Sequence, residues 1–422
     1  MRGEDEMIDD DAGRLLRPLR AEPDGPPRVD VGRAMAEGRR RRGLRRWSGG
    51  VALVALTSVT AGGGTLAIAA SRPDQPRPEP APVVSTSPSV QVAAAPAVAP
   101  PTSCEVVKLP TGGVRKSLIT SGDPSGRYHA GRLYDAADNL IVWKDGKIDA
   151  RFRMPGLDAS IYDMTSTGAG VGSSYPGEGQ QAYSYRDGTV TELDGRRSAA
   201  YAINEAGVIA GVTEDDGREV PVRWRSAGAP MERLPLPSGA TSGRAGDIAE
   251  DGTVVGVVGE DRAQETGYLW LPDGTGKAIP LPTVEGRKAD FFRPAAITDG
   301  WVLGVAIVEG GTDGVTGEAG KAGSVPIYTS LRYRLSDRTY HPVPSTVDAD
   351  QLAGNGWILG TTGKFYQPVI ASGDEVFKLP LYADFKEYDV RSLSADGRIA
   401  GGYTTDMGPE EVDNRPILWT CE

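Results

Sequence analysis

From residue 104 onward, apolar residues occur in short stretches that alternate with turns rich in glycine, asparagine and acidic residues. The clearest unit is Ala202-Ile203-Asn204-Glu205-Ala206-Gly207-Val208-Ile209-Ala210-Gly211, in which a turn suited to positive φ joins two short apolar strands. Related units end at Gly131, Gly172, Gly256, Gly304, Gly360 and Gly401. Seven copies at intervals of about 40 to 55 residues have the period of a four-stranded propeller blade.

Two further strands follow the glycine of each unit. The third strand is short and contains an aromatic residue in six of the seven copies, at residues 140–143, 182–185, 222–224, 268–270, 331–333, 369–370 and 417–419. A fourth strand ends in Leu-Pro or Ile-Pro, as at Leu234-Pro235, Ile279-Pro280 and Leu379-Pro380; proline suits an outer edge strand, where its missing N–H is not needed. The pattern predicts an all-β fold, a seven-bladed β-propeller, with a pair of β-sandwiches as the structural alternative.

The seventh repeat lacks its fourth strand, because the chain ends at Glu422, just after the third. The missing strand is predicted at residues 104–110, which carry the Leu-Pro ending but precede the first repeat. We therefore expect 104–110 to pair beside 417–419 and to close the ring.

The chain has only two cysteines, Cys104 and Cys421, at the two ends of the repeat region. Closure of the ring would place them on neighbouring strands, which predicts a disulfide if the domain lies in an oxidising compartment. The alternative is a pair of unpaired, buried thiols.

Residues 47–70 contain no charged side chain, and as a helix they would extend about 36 Å, enough to cross a hydrocarbon core of about 30 Å. Six arginines within residues 39–46 precede this segment, so the positive-inside rule keeps the N-terminus in the cytoplasm. The sequence thus predicts a mostly disordered cytoplasmic tail (1–46) with acidic and basic stretches, and a transmembrane helix (47–70). A cleaved export signal ending at Ala67-Ile68-Ala69 is the alternative.

Residues 71–103 contain nine prolines among alanine, valine, serine and threonine. This composition favours extended polyproline II over a packed core, with a reach of about 100 Å. We interpret the segment as a linker that separates the membrane from a propeller at residues 104–422.

The charge of the chain is uneven. Net charge is −11 over 422 residues, whereas the first 46 residues contain 12 arginines and 10 acidic residues, so the remainder is strongly acidic. A phosphate backbone needs a basic surface, which argues against nucleic acid as a partner.

The I-N-x-x-G-x-x-x-G core followed by a short aromatic strand resembles the extracellular HAF repeats, within the wider WD40-like propeller group, in membrane-anchored proteins of actinobacterial type. The resemblance covers residues 104–422. No copy contains the full His-Ala-Phe triplet; Gln181-Ala182-Tyr183 comes nearest. The resemblance implies a propeller outside the cell and implies no activity.

No catalytic, metal or cofactor site is predicted from sequence motifs. No serine lies in a Gly-x-Ser-x-Gly elbow, and no lysine lies in a phosphate-binding loop. The two histidines, His129 and His341, fall in blades that are not neighbours, and we interpret them as ordinary strand or turn residues. A pair of catalytic carboxylates stays open, because acidic residues are numerous.

One set of charged residues repeats at a single offset from the inner-strand apolar position. Its members are Arg244, Arg293, Asp348 and Asp389, with Arg115 as a fifth, and with Phe292 and Tyr388 nearby. Inner strands line the axial channel of a propeller, so these residues are candidate ligand-binding residues at one mouth. Mutual neutralisation of polar groups in a wet channel is the alternative interpretation.

The sequence therefore predicts a membrane-anchored, extracytoplasmic propeller that acts as a binding, sensing or scaffold module without a cofactor. Its partners would be the membrane, through residues 47–70, and an unknown extracellular protein, peptide or glycan. The alternative is a hydrolase or lyase directed at the cell wall or another polysaccharide.

Overall fold

The structure is a computed structural model, and it describes residues 90–91, 99–134, 136–260, 264–298, 300–309, 326–363, 366–405 and 414–422. These residues belong to one compact unit, Pro82–Glu422. The predicted cytoplasmic tail and membrane helix lie outside the described residues. Within the ranges given, no helix is long and apolar enough to cross a membrane.

Seven four-stranded antiparallel sheets confirm the seven-bladed propeller. The first strands of blades 1 to 7 are β3 (Ser117–Gly122), β7 (Leu157–Met164), β11 (Ser198–Ile203), β15 (Ser242–Ile248), β21 (Phe291–Thr298), β25 (Val347–Leu352) and β29 (Tyr388–Leu393). The second strands are β4 (Tyr128–Leu133), β8 (Gly170–Tyr175), β12 (Ile209–Asp215), β16 (Val254–Gly259), β22 (Trp301–Val308), β26 (Ile358–Thr362) and β30 (Ile399–Thr404).

The aromatic segments form third strands, as predicted. These are β5 (Leu140–Lys144), β9 (Gln181–Arg186), β13 (Arg218–Trp224), β17 (Thr266–Trp270), β23 (Ile327–Arg334), β27 (Gln367–Ser372) and β31 (Pro416–Cys421). The fourth strands are β6 (Lys147–Phe152), β10 (Thr189–Glu192), β14 (Met231–Arg233), β18 (Gly276–Ala278), β24 (Thr339–Pro342), β28 (Glu375–Lys378) and, for blade 7, β2 (Cys104–Lys108).

The ring is closed by the strand swap that the sequence predicts. Strand β2 pairs antiparallel with β31, with Cys104 opposite Cys421, and the two cysteines form a disulfide. Beyond the ladder, the backbone N–H of Thr102 donates to the carbonyl of Glu422, and the N–H of Glu422 donates to the carbonyl of Ser103. Both ends of the repeat region are therefore held in one sheet.

The repeated glycine is explained by a β-bulge in each first strand. In blade 4 the register of β15 against β16 shifts between Ala245 and Asp247, so that Gly246 has no partner of its own. The shift brings the carbonyl oxygen of Arg244 so close to Gly256 that a Cβ there would overlap with it. Equivalent shifts occur in all seven first strands. In blade 7 the crowded glycine is Gly402, and not Gly401 as predicted, because the preceding turn is one residue longer.

The Leu-Pro and Ile-Pro pairs follow directly after the fourth strands, so the predicted strand endings lie one to two residues beyond each strand. The apolar residue is buried, while the proline carbonyl accepts a hydrogen bond from an indole N–H of the following blade. The donors are Nε1 of Trp143 to Pro110 at 2.6 Å, Trp270 to Pro235 at 2.7 Å, and Trp419 to Pro380 at 2.8 Å. These three bonds tie the third strands of blades 1, 4 and 7 to the preceding blade.

A small three-stranded sheet accompanies the blades. It contains β19 (Pro282–Val284), β20 (Arg287–Lys288) and β1 (Val90–Gln91), which pairs in parallel with β19. Residues 90–91 belong to the segment 71–103 that the sequence predicts as a linker.

Reduction of the disulfide should lower the thermal midpoint of the purified chain, because the bridge closes a loop with a sequence separation of 317. In the chain-entropy model such a bridge contributes up to about 5 kcal/mol, which for a domain of this size is roughly 5 to 10 °C. Deletion of residues 103–110 should destabilise the chain further, because it exposes the edge of β31. Free-thiol titration and calorimetry measure both effects. Two reduced cysteines in exported protein, together with an undiminished midpoint after the deletion, would contradict the closed ring.

The substitution Gly256→Ala should lower the free energy of unfolding by about 3 kcal/mol or more, because the new methyl group meets backbone that cannot move aside. Gly228→Ala is the matched control: nothing lies within 4 Å of its added Cβ, and we expect a change of at most about 0.5 kcal/mol. Urea denaturation of the two variants compares them. Equal midpoints would show that the bulge does not demand the glycine.

Candidate functional site

The channel opens on two faces of the ring. Each first strand begins on the face that carries the connections between blades and the turns between second and third strands, and we call this the upper face. Arg244, Arg293, Asp348 and Asp389 occupy the same register position, two residues before the bulge, in the upper half of their strands. The four charged residues that share one offset in the sequence repeats therefore lie at the same level of their strands, near the upper mouth.

Three of the predicted site residues lie elsewhere. Arg115 precedes β3, and the equivalent position of blade 1 is Leu118. Phe292 and Tyr388 are fully buried between blades: the Phe292 ring packs edge-on against Tyr340 at 5.1 Å, and the Tyr388 hydroxyl donates to the carbonyl of Phe385. Neither ring is available to a ligand at the mouth in this structure.

The bulge residues form a second ring that sequence reasoning missed. Its members, from blade 1 to blade 7, are Thr120, Tyr162, Tyr201, Gly246, Ala295, Asp350 and Arg391. A bulge residue has no ladder partner, and each of these seven residues keeps part of its surface exposed. The signal was present, because six of the seven members stand two residues before the inner apolar residue of their repeat, and in blade 1 that position is Gly122.

Blades 2 to 4 bring aromatic and charged groups together at the upper mouth. The Tyr162 and Tyr201 rings lie 5.9 Å apart with a 54° angle between them. Beside them, Arg244 binds two carboxylates, with its Nε 3.2 Å from Glu219 Oε2 and its Nη2 3.0 Å from Glu265 Oε2. Both glutamates come from the upper ends of third strands. We call these five residues the mouth cluster.

The mouth cluster is surrounded by protein, although Tyr162 and Tyr201 keep part of their surface in contact with solvent. Burial raises the pKa of both tyrosines, so their phenols stay neutral near pH 7. Burial acts to lower the pKa of Arg244, but attraction to Glu265 and Glu219 outweighs it and the pKa is raised. The mouth cluster therefore combines neutral rings with a permanently charged guanidinium.

The opposite side of the channel carries a second ion pair. Arg391 Nε lies 3.0 Å from Asp389 Oδ1, and the Tyr403 hydroxyl donates to Asp389 Oδ2 at 2.9 Å. Burial raises the pKa of Tyr403 to about 12. Burial acts to lower the pKa of Arg391, whereas the charge of Asp389 raises it and prevails. Asp389 thus neutralises a channel arginine of its own strand.

Two half-buried aspartates clamp neighbouring blades below the mouth. Asp163 accepts N–H bonds from Met164 and, across the blade boundary, from Ile203 at 2.8 Å. Asp247 does the same with Ile248 and Ile297. Burial raises the pKa of Asp247 to about 7. Burial, and then the nearby Asp247, raise the pKa of Asp163 well above its usual range.

The rim of the mouth at blade 2 presents an exposed apolar side chain. Leu157 is 76% exposed at the start of β7, next to Asp158, which adopts φ 52° and pairs with Arg132 at 2.7 Å. A shallow depression follows, lined by residues 176–181 with Arg196 and Arg197.

One buried group resembles a catalytic arrangement in composition but not in geometry. His129 of blade 1, Ser392 of blade 7 and Asp123 are all buried at the boundary between their blades. Ser392 Oγ and His129 Nδ1 each find no hydrogen-bond partner among the described residues. A nucleophile needs a base within hydrogen-bond reach, so this trio does not form a charge-relay site.

The second histidine also has a structural environment. His341 Nε2 lies 3.0 Å from Thr339 Oγ1, and its ring packs edge-on against Trp301. Within the part of the chain that the structure describes, no three His, Cys, Asp or Glu residues lie close enough together to hold a metal ion.

The stability of the chain should depend on pH through His129, because burial lowers its pKa to about 4 from 6.5. As pH falls, the unfolded chain binds a proton on this histidine before the folded chain does. The free energy of unfolding therefore decreases by about 1.4 kcal/mol per pH unit from pH 6.5 towards pH 4. Asp247, whose folded pKa is raised, has the opposite effect between pH 7 and about 4.

The variant His129→Gln separates the two effects. From pH 7 to pH 5 the stability of the native chain relative to His129→Gln should fall by about 2 kcal/mol, since Asp247 is common to both. Urea titrations at the two pH values measure the difference. A difference that does not change with pH would contradict the burial of a neutral His129.

The chain has solved structural neighbours but no family match. No protein-family model matches it, and no curated protein does. TolB from Acinetobacter baumannii is 13% identical, with 70% of this chain and 80% of that chain covered and a TM-score of 0.38. The WD40 repeats of RRP9 are 12% identical, with 78% and 99% covered and a TM-score of 0.44. The β-propeller domain of Myceliophteria thermophila Cps50 (Swd1) is 9% identical, with 76% and 100% covered and a TM-score of 0.42.

Proposed function

We propose that this chain is a membrane-anchored, extracytoplasmic binding module that takes its ligand at the upper mouth of the propeller channel and does not turn it over. The mouth cluster is the observation that carries the proposal. It presents two partly exposed tyrosine rings beside a fixed ion-pair trio, and three different blades hold it in place. Aromatic faces with a few convergent polar groups are typical of ligand sites.

The proposed location rests on the sequence and on the disulfide. An arginine-flanked apolar segment and a proline-rich linker precede the propeller, in the order that a single-pass anchor requires. The bridge between Cys104 and Cys421 is of the kind that persists in oxidising compartments. Titration of the free thiols, described above, bears on this location as well, because a cytoplasmic propeller would keep both cysteines reduced.

Hydrolysis or elimination on a polysaccharide is the second candidate function, and one observation favours it. Asp247 lies in the channel wall with a pKa of about 7, a value suited to a general acid. Its two oxygens, however, are each bound to a backbone N–H, which makes it a clamp between blades. Glu219 and Glu265 are both bound to the Arg244 guanidinium, an arrangement suited to holding that side chain in place. We therefore favour binding.

Co-sedimentation with purified bacterial cell-wall sacculi tests the proposal, with the full-length chain kept in a mild detergent. We expect the chain to sediment with the sacculi and to release no soluble fragments. Tyr201→Leu should weaken sedimentation about 3- to 30-fold, since it removes one ring of the mouth. Tyr328→Leu, on an exposed ring of β23, is the matched control and should have no effect.

Two results would overturn the proposal. Sedimentation that is absent, or that is equal for Tyr201→Leu and Tyr328→Leu, would exclude the mouth as the binding site. Release of fragments by the native chain, abolished in a folded Asp247→Asn variant, would favour the hydrolase or lyase.

A further inference from the structure

The upper face has a depression between blades 2 and 3 that shares no lining residue with the mouth cluster. One wall is the turn between β8 and β9 with the start of β9, at residues 176–181, and the other is Arg196 and Arg197 of the connection that leads to β11. The volume is about 470 Å³. Small-molecule sites commonly have volumes of about 300 to 1,000 Å³. This feature, which we call the rim depression, is therefore large enough for a small ligand.

Hydrogen bonds hold the two walls of the rim depression together. Gln181 is buried, and its Nε2 donates to the carbonyls of Leu193 and Gly195, each at 3.1 Å. The backbone N–H of Ser198 donates to the carbonyl of Gln180 at 2.9 Å. These bonds tie the connection between β10 and β11 to the turn between β8 and β9, so the walls are in place before a ligand binds.

The backbone of the two arginines is also held from blade 3. Thr213 Oγ1 donates to the carbonyl of Arg196 at 2.9 Å, and the N–H of Glu214 donates to the carbonyl of Arg197 at 2.9 Å. The Arg197 side chain contacts the opposite wall, since a Cβ on Gly179 would lie 3.0 Å from its Cγ. A binding site with a fixed backbone loses less entropy when a ligand binds.

The charged side chains of the rim depression are not all matched. Arg197 Nη1 lies 2.7 Å from Glu214 Oε1. Arg196 and Glu178 are both exposed, and the side chain of neither has an ion-pair or hydrogen-bond partner within the part of the chain that the structure describes. The rim depression thus has an unmatched positive charge on one wall and an unmatched negative charge on the other.

One chain of hydrogen bonds links the rim depression to the mouth cluster. Gln180 lines the depression, and its Nε2 donates to Ser173 Oγ at 2.6 Å. Ser173 Oγ donates in turn to the Tyr162 hydroxyl at 3.2 Å. The two features are therefore neighbours on the same face, although they have separate linings.

A ligand with both signs of charge fits the rim depression better than a ligand with one sign. An anion would gain from Arg196 but would be repelled by Glu178, and a cation would gain from Glu178 but would be repelled by Arg196. A neutral ligand would leave both charges unmatched. The charges on the walls therefore favour a zwitterion.

From these observations we infer that the rim depression is a second binding site and that its ligand is a short zwitterionic peptide, whose carboxylate pairs with Arg196 and whose amine pairs with Glu178. The inference goes beyond the proposed function, because it assigns a separate site that does not need the mouth cluster. A guanidinium holds a carboxylate through two parallel N–H bonds. The termini of a dipeptide lie farther apart than the charges of a free amino acid, which suits charges on opposite walls.

Ligand-observed NMR titration of the full-length chain in a mild detergent tests the class of ligand, with alanyl-alanine as the probe. Exposed ion pairs are weak, so we expect a dissociation constant of about 1 mM. N-acetyl-alanyl-alanine lacks the free amine and alanyl-alanine amide lacks the carboxylate, and each should bind about 3- to 10-fold more weakly. Equal binding of the three dipeptides, or no binding of alanyl-alanine at about 10 mM, would overturn the inference.

Alanine separates a peptide from a free amino acid. Its two charges cannot reach both walls at once, so it should bind at least about threefold more weakly than alanyl-alanine. Binding of alanine that is as tight as that of alanyl-alanine would overturn the assignment to a peptide.

Two variants assign the ligand charges to the walls. Arg196→Gln should weaken binding of alanyl-alanine about 3- to 10-fold and should bind the free peptide and its amide equally, because the carboxylate has lost its partner. Glu178→Gln should likewise bind the free and the acetylated peptide equally. Arg186→Gln and Glu192→Gln, at exposed positions of β9 and β10 in the same blade, are the matched controls and should bind as the native chain does. Unchanged affinity in both Arg196→Gln and Glu178→Gln would overturn the inference.

The variant Tyr201→Leu separates this inference from the proposed function. Tyr201 does not line the rim depression, so Tyr201→Leu should bind alanyl-alanine as tightly as the native chain. Loss of peptide binding in folded Tyr201→Leu, with full binding in Arg196→Gln, would overturn the inference and leave the proposed function intact. Peptide binding that depends on Arg196, in a chain that does not sediment with sacculi, would overturn the proposed function and leave the inference intact.

Discussion

The carbonyl oxygen of Arg244 leaves no room for a side chain on Gly256, and the same contact between the first and second strands recurs around the ring. The crowding arises because each first strand has one residue more than its partner, and the extra residue pushes the preceding peptide towards the second strand. Only glycine tolerates this approach. The same extra residue loses its ladder partner and keeps part of its surface exposed on the innermost strand. The repeat motif and the lining of the channel are thus two results of one backbone feature.

Similar hydrogen bonds join several pairs of neighbouring blades, although they do not occur at every boundary. Indole N–H groups of the third strands donate to the carbonyls after the preceding fourth strands, on the outer side of the ring. On the inner side, Asp163 and Asp247 accept backbone N–H groups of the next blade. Since each blade contacts only its neighbours, a ring holds together only when its last sheet is complete. The pairing of β2 with β31, fastened by the disulfide, completes it.

The sequence predicted the elements that repeat. The number of blades, the third strands, the swapped strand and the pairing of Cys104 with Cys421 all follow from periodicity, and the structure confirms them. The site was harder to predict, because a bulge changes which residues face the axis. Phe292 and Tyr388 each adjoin a residue of the charged set, and neighbours on a strand point to opposite sides, so both are buried. Tyr201 was overlooked because it is the bulge residue of its strand, and the sequence pattern did not show the bulge.

The location of the ligand on the upper face is the central claim of this account, and hydroxyl-radical footprinting by mass spectrometry tests it most directly. The oxidation of each tyrosine would be compared with and without purified sacculi. The account predicts that Tyr162 and Tyr201 become protected, while Tyr328, exposed on β23, is oxidised at the same rate in both samples. Protection of Tyr328 with no change at Tyr162 and Tyr201 would place the ligand on the outer surface and contradict the account.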